Sequence, residues 1–125
     1  MEVKKKKILF IEDEPDQRMI IRFRLEKSGY SVMMAEDGEE GLKKAAMEKP
    51  DLILLDIIMP GIDGLEVCRR LRKNPKTASI PVITTTAAGI DDLEQQCLSA
   101  GADDCVRKPY EAEDLLAKVK KFLKK

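Results

Sequence analysis

A chain of 125 residues, 43% hydrophobic and 37% charged, has the size and composition of one globular domain that buries about two-thirds of its unfolded surface. Its 23 basic and 23 acidic residues balance, so the overall charge does not favour a nucleic-acid partner. The absence of histidine excludes histidine metal sites, catalytic triads built on histidine and a phosphohistidine within this chain.

Cysteine content and hydropathy indicate the cellular compartment. The three cysteines, Cys68, Cys97 and Cys105, show no CxxC spacing, which argues against a disulfide framework or a zinc site. Reduced, partly buried thiols are the simpler interpretation. No apolar run approaches the roughly 20 residues needed to cross a bilayer, and no signal-peptide cleavage pattern follows the N-terminal lysines. We therefore expect a cytoplasmic protein without a membrane partner.

Short apolar runs alternate along the chain with longer amphipathic stretches. The first half predicts a strand at 8–11, a helix at about 15–28, a strand at 30–35, a helix at 38–48 and a strand at 52–55. The second half predicts a helix that ends at Asn74, a strand at 81–85, a helix at about 91–100, a strand at about 104–106 and a last helix from about Glu111. Five successive strand–helix units are typical of a parallel sheet with helices on both faces, a doubly wound α/β fold.

Asp56 occupies an unusual position, because it follows the four apolar residues 52–55 of a strand that should be buried. A buried carboxylate is costly unless a cation or a hydrogen-bond donor faces it. Ligands of parallel sheets bind at the carboxyl ends of the strands. Glu12, Asp13, Thr86 and Lys108 also follow predicted strands and should meet Asp56 there. Three carboxylates without histidine or cysteine suit Mg²⁺ or Mn²⁺.

Each of these residues has an ordinary explanation when taken alone. The acidic run at 12–14 could complement a helix dipole, Asp56 could cap a helix, and Thr86 and Lys108 could belong to turns. The occurrence of all of these residues at strand ends of one parallel sheet is harder to explain as coincidence.

The motifs "ILFIEDEP", "DLILLDIIMPGIDG", "PVITTTA", "GADD" and "KPY" together resemble the receiver domain of two-component response regulators, in order and in spacing. The resemblance covers essentially all of the chain and implies a single receiver domain over residues 1–125. It also implies a flavodoxin-like (βα)5 sheet with the strand order 2-1-3-4-5.

The resemblance also implies the roles of the acidic residues. Asp56 matches the phosphoryl acceptor, which is the nucleophile of the reaction. Asp13 and Asp56 would hold Mg²⁺ directly, Glu12 would hold it directly or through water, and the backbone carbonyl of Ile58 would complete the protein ligands.

The remaining matched positions concern the phosphoryl group and the response to it. Thr86 matches the hydroxyl that moves toward the phosphoryl group, and Ala87 the small neighbour that leaves room for this movement. Lys108 matches the lysine that contacts the phosphoryl oxygens. Pro109 matches a proline preceded by a cis peptide bond.

The implied function is a phosphorylation-activated switch. Because the chain has no histidine, the donor is a sensor histidine kinase, a histidine phosphotransfer protein or a small acyl phosphate. The expected partner surface lies on helix four, strand five and helix five, with Cys105, Lys118 and Lys121; the downstream target stays open. We expect no direct binding of nucleic acid, and a monomer or a weak dimer on phosphorylation.

Two features depart from the family pattern. Cys105 stands where the family usually has Tyr or Phe, so the usual aromatic switch is in question. A space-filling thiol is a simpler interpretation of Cys105 than a redox group. Ile58 and Ala88, which border the path of the hydrolytic water in the family, are non-polar. We therefore expect slow autodephosphorylation and no other enzymatic activity.

Three other functions fit less well. An aspartyl-phosphate hydrolase generally has a second acid two residues after the nucleophile, where this chain has Ile58. A flavin carrier would need a phosphate-binding loop after strand one, and "EDEPD" would repel phosphate. A pseudo-receiver, or a module whose interactions do not depend on phosphorylation, is the closest alternative, but it usually lacks the acceptor or the acidic pair.

Overall fold

The computed structural model describes residues 5–57, 61–87 and 92–123. Strands and helices alternate in these residues, in the order β1 (Lys7–Ile11), α1 (Pro15–Lys27), β2 (Ser31–Ala35), α2 (Gly38–Glu48), β3 (Leu52–Asp56), α3 (Gly64–Lys73), β4 (Val82–Ala87), α4 (Leu93–Ala100), β5 (Asp104–Lys108) and α5 (Ala112–Leu123). Neighbouring strands pair in parallel, in the order β2-β1-β3-β4-β5. The predicted doubly wound α/β fold and its strand order are confirmed.

Three strands extend further at their carboxyl ends than the apolar pattern predicts. β3 continues to Asp56, which pairs with Thr85 of β4. β4 and β5 continue together until Ala87 pairs with Lys108. Aspartate and lysine have low strand propensity, so the sequence pattern underestimates these ends. The polar residues therefore lie in the hydrogen-bonded sheet itself, which fixes their positions.

Each face of the sheet carries its own apolar core. Helices α2, α3 and α4 cover one face and pack on a set of buried strand residues, Leu9, Ile11, Ile53, Leu55 and Val82. Helices α1 and α5 cover the other face and pack on a second set, Ile8, Phe10, Leu52, Leu54 and Ile83. Since successive strand residues point to opposite faces, this two-sided burial explains why the central strands are apolar throughout.

Side-chain caps define where three of the helices begin. Glu14 accepts a hydrogen bond from the backbone N–H of Gln17 at 2.8 Å, and Asp37 and Asp63 cap α2 and α3 in the same way. A cap of this kind contributes about 1 kcal/mol. α4 differs, because Asp92 before it has a positive φ of 63° and its side chain makes no capping hydrogen bond within the described residues.

Arg72 of α3 fastens the opposite end of α4. Its guanidinium donates to the carbonyl oxygens of Gly101 at 2.9 Å, Ala78 at 3.1 Å and Ile80 at 2.7 Å. It also donates to the carboxylate of Asp103 at 2.8 Å. These bonds join the end of α4, the segment before β4 and the segment before β5 at the edge of the sheet remote from Asp56.

Candidate functional site

Three carboxylates meet at the carboxyl edge of the sheet. Glu12 and Asp13 follow β1, and Asp56 ends β3. One carboxylate oxygen from each of them lies within 4.8 Å of those of the other two, which is close enough for one metal ion. Among the described residues, this is the acidic group that could hold a metal. The sequence prediction of these residues as one cluster agrees with their positions.

Lys108 faces two of these carboxylates from the end of β5. Its Nζ lies 3.4 Å from Oδ1 of Asp56 and 3.5 Å from Oε1 of Glu12. Glu12 is 1% exposed and Asp56 4%, whereas Asp13 is the most open to solvent of the three acids. A buried carboxylate pair is therefore compensated in part by one ammonium group, as the strand-end argument anticipates.

The Glu12 carboxyl group, buried beside Asp56, holds its proton more tightly than a free glutamate does. Burial raises the pKa of Glu12 to about 7, and the negative charge of Asp56 and a side-chain hydrogen bond with Asp56 act in the same direction. Lys108 opposes this shift. A hydrogen bond between two carboxyl groups needs a proton on one of them. A divalent cation would replace that proton, so the site fits a hard metal with oxygen ligands.

Two residues that sequence reasoning missed hold the backbone of the site. Arg18 of α1 donates to the carbonyl oxygen of Glu12 at 2.8 Å. Gly64, at the start of α3, donates its N–H to the carbonyl oxygen of Ile57 at 2.9 Å. A Cβ at position 64 would lie 2.5 Å from the Cα of Ile57 and 2.7 Å from the carbonyl oxygen of Asp56. The glycine thus lets α3 approach the acceptor strand closely, and only its place in the "GIDG" turn could have indicated this.

The threonines of β4 lie on two different sides of the sheet. Thr85 pairs with Asp56 in register, and its buried hydroxyl has no hydrogen-bond partner among the described residues. Thr86 is also buried, at 2% exposure, and pairs with Arg107. Because side chains alternate along a strand, Thr86 shares a face with Thr84, toward α4. The sequence prediction named Thr86 and overlooked Thr85 beside the acceptor.

The backbone prediction at Pro109 is confirmed, since the Lys108–Pro109 peptide bond is cis. Ala87 lies in the sheet and pairs with Lys108. The carbonyl of Ile58 and the position of Ala88 lie outside the described residues.

Cys105 lies largely inside the protein. Its side chain is only 6% exposed and belongs to the apolar core under α4. β5 turns this small apolar side chain inward, where α4 covers it. Lys118 is less free than expected, because its Nζ donates to Asp104 at 2.9 Å.

The model of the family "Response regulator receiver domain" matches residues 8–120. The chain belongs to this family.

Curated relatives agree with the family match. The receiver domain is 41% identical over 119 residues to the DNA-binding dual master transcriptional regulator RpaA of Synechocystis sp. strain PCC 6803, covering 95% of this chain and 49% of that protein. The chain spans about half the length of these curated relatives. The DNA-binding function in the name of RpaA is therefore a property of that longer protein.

Solved structures share the whole fold. A putative response regulator from Chloroflexus aurantiacus has a TM-score of 0.92 and 33% identity, covering 98% of this chain and 100% of that one. The receiver domain of the sensor histidine kinase PA1611 from Pseudomonas aeruginosa has a TM-score of 0.89 and 28% identity, with 98% and 100% coverage. That structure holds a magnesium ion in its active-site cleft.

Exposed apolar residues of the receiver domain form a patch on α1. Met19, Ile20 and Phe23 are more than half exposed. A groove of about 540 Å³ beside them is lined by Ile20 of α1 and by Lys108 of the acceptor site, among other residues.

No helix in the described parts of the chain is long and apolar enough to span a bilayer.

Proposed function

We propose that this receiver domain is a phosphorylation-activated switch of a two-component or phosphorelay system, with Asp56 as the phosphoryl acceptor. The observation that carries the proposal is the position of Lys108, whose Nζ lies 3.4 Å from Asp56 and 3.5 Å from Glu12. An ammonium group at this place can contact the oxygens of a phosphoryl group on Asp56. A structural ion pair alone would need one carboxylate, whereas Lys108 faces two, and Asp13 lies beside them.

A divalent metal is part of the proposal. Glu12, Asp13 and Asp56 supply three carboxylate oxygens within 4.8 Å of one another, and the backbone carbonyl of Ile58 is proposed as a further ligand from the family resemblance. This donor set suits Mg²⁺ or Mn²⁺. When bound, the ion would neutralise negative charge on the phosphoryl oxygens.

The residues of this chain account for the remaining chemistry. A carboxylate oxygen of Asp56 attacks the phosphorus atom of a partner's phosphohistidine in line with the phosphorus–nitrogen bond, which breaks as the oxygen–phosphorus bond forms. The imidazole leaves with the electron pair. Lys108 stabilises the charge on the equatorial phosphoryl oxygens, and Arg18 and Gly64 keep the backbone beside Glu12 and Asp56 in place.

The response to phosphorylation passes through β4. A phosphoryl group adds negative charge and acceptor oxygens, which would attract the hydroxyl of Thr86, with Ala87 leaving room for it. Thr86 shares its side of β4 with Thr84, which bonds to Cys105 of β5. A movement of Thr86 therefore reaches the α4–β5–α5 surface that we propose for the downstream target, without an aromatic side chain at position 105.

The donor is proposed to dock on α1. The apolar patch of Met19, Ile20 and Phe23 is continuous with the groove that contains Lys108. A histidine-bearing helix of a kinase or phosphotransfer protein that covered this patch would bring its phosphohistidine to the acceptor edge. Exposed apolar groups next to a reactive site are typical of interaction surfaces.

Several further properties follow from the same proposal. The family is a signalling family, and the activity we propose for the chain is limited to its own phosphorylation and a slow autodephosphorylation, since Ile58 and Ala88 offer no polar side chain. Residues 1–125 would form one receiver domain in the cytoplasm, where free thiols such as the three cysteines persist. A monomer or a weak phosphorylation-dependent dimer stays a prediction.

The decisive experiment is phosphorylation by acetyl phosphate with Mg²⁺, measured as intact mass. We expect the wild-type protein to gain one phosphoryl group and the Asp56→Asn variant to gain none. Asp114→Asn, an exposed carboxylate on α5, is the matched control and should behave as the wild type. An unmodified wild type, or an equal gain in Asp56→Asn, would refute the proposal and favour a pseudo-receiver that binds its partner without phosphorylation.

A further inference from the structure

A second buried pair of titratable side chains lies between α4 and β5, away from the acceptor site. Cys97 of α4 and Cys105 of β5 belong to the same apolar core, with 0% and 6% exposure. The Cys105 sulfur lies 3.9 Å from the carbonyl oxygen of Glu94, three residues before Cys97 on α4, so the two thiols are neighbours where α4 packs on β5. Neither residue has a part in the chemistry proposed for Asp56.

Neighbouring side-chain and backbone groups hold the Cys105 sulfur in place beside α4. The Thr84 hydroxyl donates to the Cys105 sulfur at 3.1 Å, and the Cys105 thiol lies 3.9 Å from the carbonyl oxygen of Glu94. Glu94 lies about one helical turn before Cys97, so the two residues are neighbours on the surface of α4. Strand register places Thr84 directly beside Cys105. The contact between the thiols is therefore set by the packing of α4 on β4 and β5.

One of the two thiols ionises more easily than an ordinary cysteine. The hydrogen bond from Cys105 lowers the pKa of Cys97 to about 7, although burial opposes the shift. The hydrogen bond to Cys97 and burial raise the pKa of Cys105, which keeps the second proton between the two sulfurs. Cys68 lacks this advantage, because burial raises the pKa of its thiol.

Cys105 also has a route to solvent. It lines a groove of about 620 Å³ between β5 and the start of α5, together with Arg107 and Lys118 among other residues. A side chain as small as cysteine leaves this groove open, and a molecule the size of hydrogen peroxide can enter it. The thiol pair is therefore buried from bulk water and yet reachable from one side.

We infer that Cys97 and Cys105 form a reversible intramolecular disulfide when the protein meets a peroxide. The bond would join α4 covalently to β5, beneath the α4–β5–α5 surface. The inference concerns a modification site, and it holds whether or not Asp56 is phosphorylated.

The oxidation balances with a peroxide as the only co-reactant. The pair first loses one proton to solvent, and transfer of the remaining proton along the hydrogen bond puts the negative charge on Cys105, where Thr84 donates to the sulfur. This thiolate attacks the O–O bond, so a sulfenic acid forms and hydroxide leaves to become water. The Cys97 sulfur then displaces the oxygen from the Cys105 sulfur, and a second water leaves. Two thiols are oxidised by two electrons, and one peroxide is reduced to two waters.

The test counts free thiols after mild treatment with hydrogen peroxide. The reduced protein should take up N-ethylmaleimide at all three cysteines after unfolding. The oxidised protein should lose about 2 Da and take up the reagent at Cys68 alone. Peptide mapping should find one Cys97–Cys105 cross-link within a single chain, and dithiothreitol should restore full labelling.

Matched variants separate this bridge from other thiol chemistry. Cys68→Ser should still form it, whereas Cys97→Ser and Cys105→Ser should not. Three labelled cysteines in the treated wild type, a bridge that includes Cys68, or a cross-link between two chains would overturn the inference. The peptide mapping of the wild-type protein decides the question by itself, so the conclusion does not depend on whether each variant folds.

Discussion

Two buried pairs of hydrogen-bonded side chains, Glu12 with Asp56 and Cys97 with Cys105, respond to burial in opposite ways. The pKa of Glu12 rises to about 7, because burial and the neighbouring carboxylate both disfavour its charged form. The pKa of Cys97 falls to about 7, because the hydrogen bond from Cys105 outweighs the effect of burial. Glu12 therefore retains a proton at pH values at which free glutamate is ionised, and Cys97 loses one where free cysteine retains it.

The difference lies in what surrounds each pair. Lys108 stands within 3.5 Å of both carboxylates, and Asp13 adds a third acid, so the carboxylate pair is an incomplete cation site. In the described parts of the chain, the Cys105 thiol contacts two neutral groups, the hydroxyl of Thr84 and the backbone carbonyl of Glu94. The carboxylate pair carries excess negative charge and can therefore bind a cation reversibly. The two thiols face no cation among the described residues and can instead form a covalent bond with each other.

The largest effect should come from removing the cation of the carboxylate pair. We expect Lys108→Met to slow phosphorylation by acetyl phosphate about 100-fold, because one charged group on the phosphoryl oxygens is lost. The rate of mass gain measures this. Lys118→Met, which removes an ammonium that pairs with Asp104, is the control and should leave the rate unchanged. Equal slowing in both variants would mean that Lys108 acts only through overall charge.

Magnesium binding should depend on pH through Glu12. Below its pKa of about 7 a proton must leave as the metal binds, so the affinity should fall about tenfold per pH unit. Calorimetry one unit below and one unit above this pKa, in buffers of different protonation enthalpy, measures both affinity and proton release. Glu12→Gln should bind more weakly and without this pH dependence. An equally steep pH dependence in Glu12→Gln would assign the proton to another group.

Without metal, the same carboxyl group should lower stability as the pH rises. The folded protein holds the proton of Glu12 more tightly than the unfolded chain does, since the pKa is raised from 4.5 to about 7. The contribution of Glu12 to the free energy of unfolding is thus most favourable below about pH 4.5 and is lost as the pH rises through about 7, by an amount of the order of 3 kcal/mol.

Urea unfolding of wild type and Glu12→Gln in a chelator isolates this contribution. The difference between the two proteins should grow with pH, with the variant the more stable above pH 7, and Mg²⁺ should reverse the order. A difference that does not change with pH would contradict the shift.

The smallest effect should come from the two adjacent threonines of β4. Thr84→Val removes the hydroxyl that donates to Cys105 and should cost about 1 kcal/mol in the free energy of unfolding. Thr85→Val replaces a buried hydroxyl that has no partner among the described residues, so its effect should be neutral or slightly stabilising. Thr84→Val should also slow the formation of the Cys97–Cys105 bridge. Equal costs would show that side-chain packing outweighs these hydrogen bonds.

The sequence predicted the carboxylate pair and not the thiol pair, for a physical reason. Asp56 and Lys108 each end a strand, and Glu12 and Asp13 directly follow one. Parallel strands end at one common edge, so topology alone brings these residues together. The contact of Cys97 with Cys105 depends on the rotation of α4 and on the β4–β5 register, which no local pattern encodes. The close approach at Gly64 and the sidedness of Thr85 and Thr86 likewise depend on packing distances.

The attachment of α4 is uneven, and this has a consequence for how the helix can move. Arg72 holds the carbonyl of Gly101 at its C-terminal end, whereas Asp92 makes no side-chain capping hydrogen bond to the described residues at its N-terminal end. Local thermal unfolding of α4 should therefore be most frequent in its first turn and become rarer toward Ala100. Hydrogen–deuterium exchange should be faster in the first turn than in the last, and Arg72→Ala should reduce that contrast. The helix would then pivot about its C-terminal end, so its displacement is greatest at Leu93, where the helix begins.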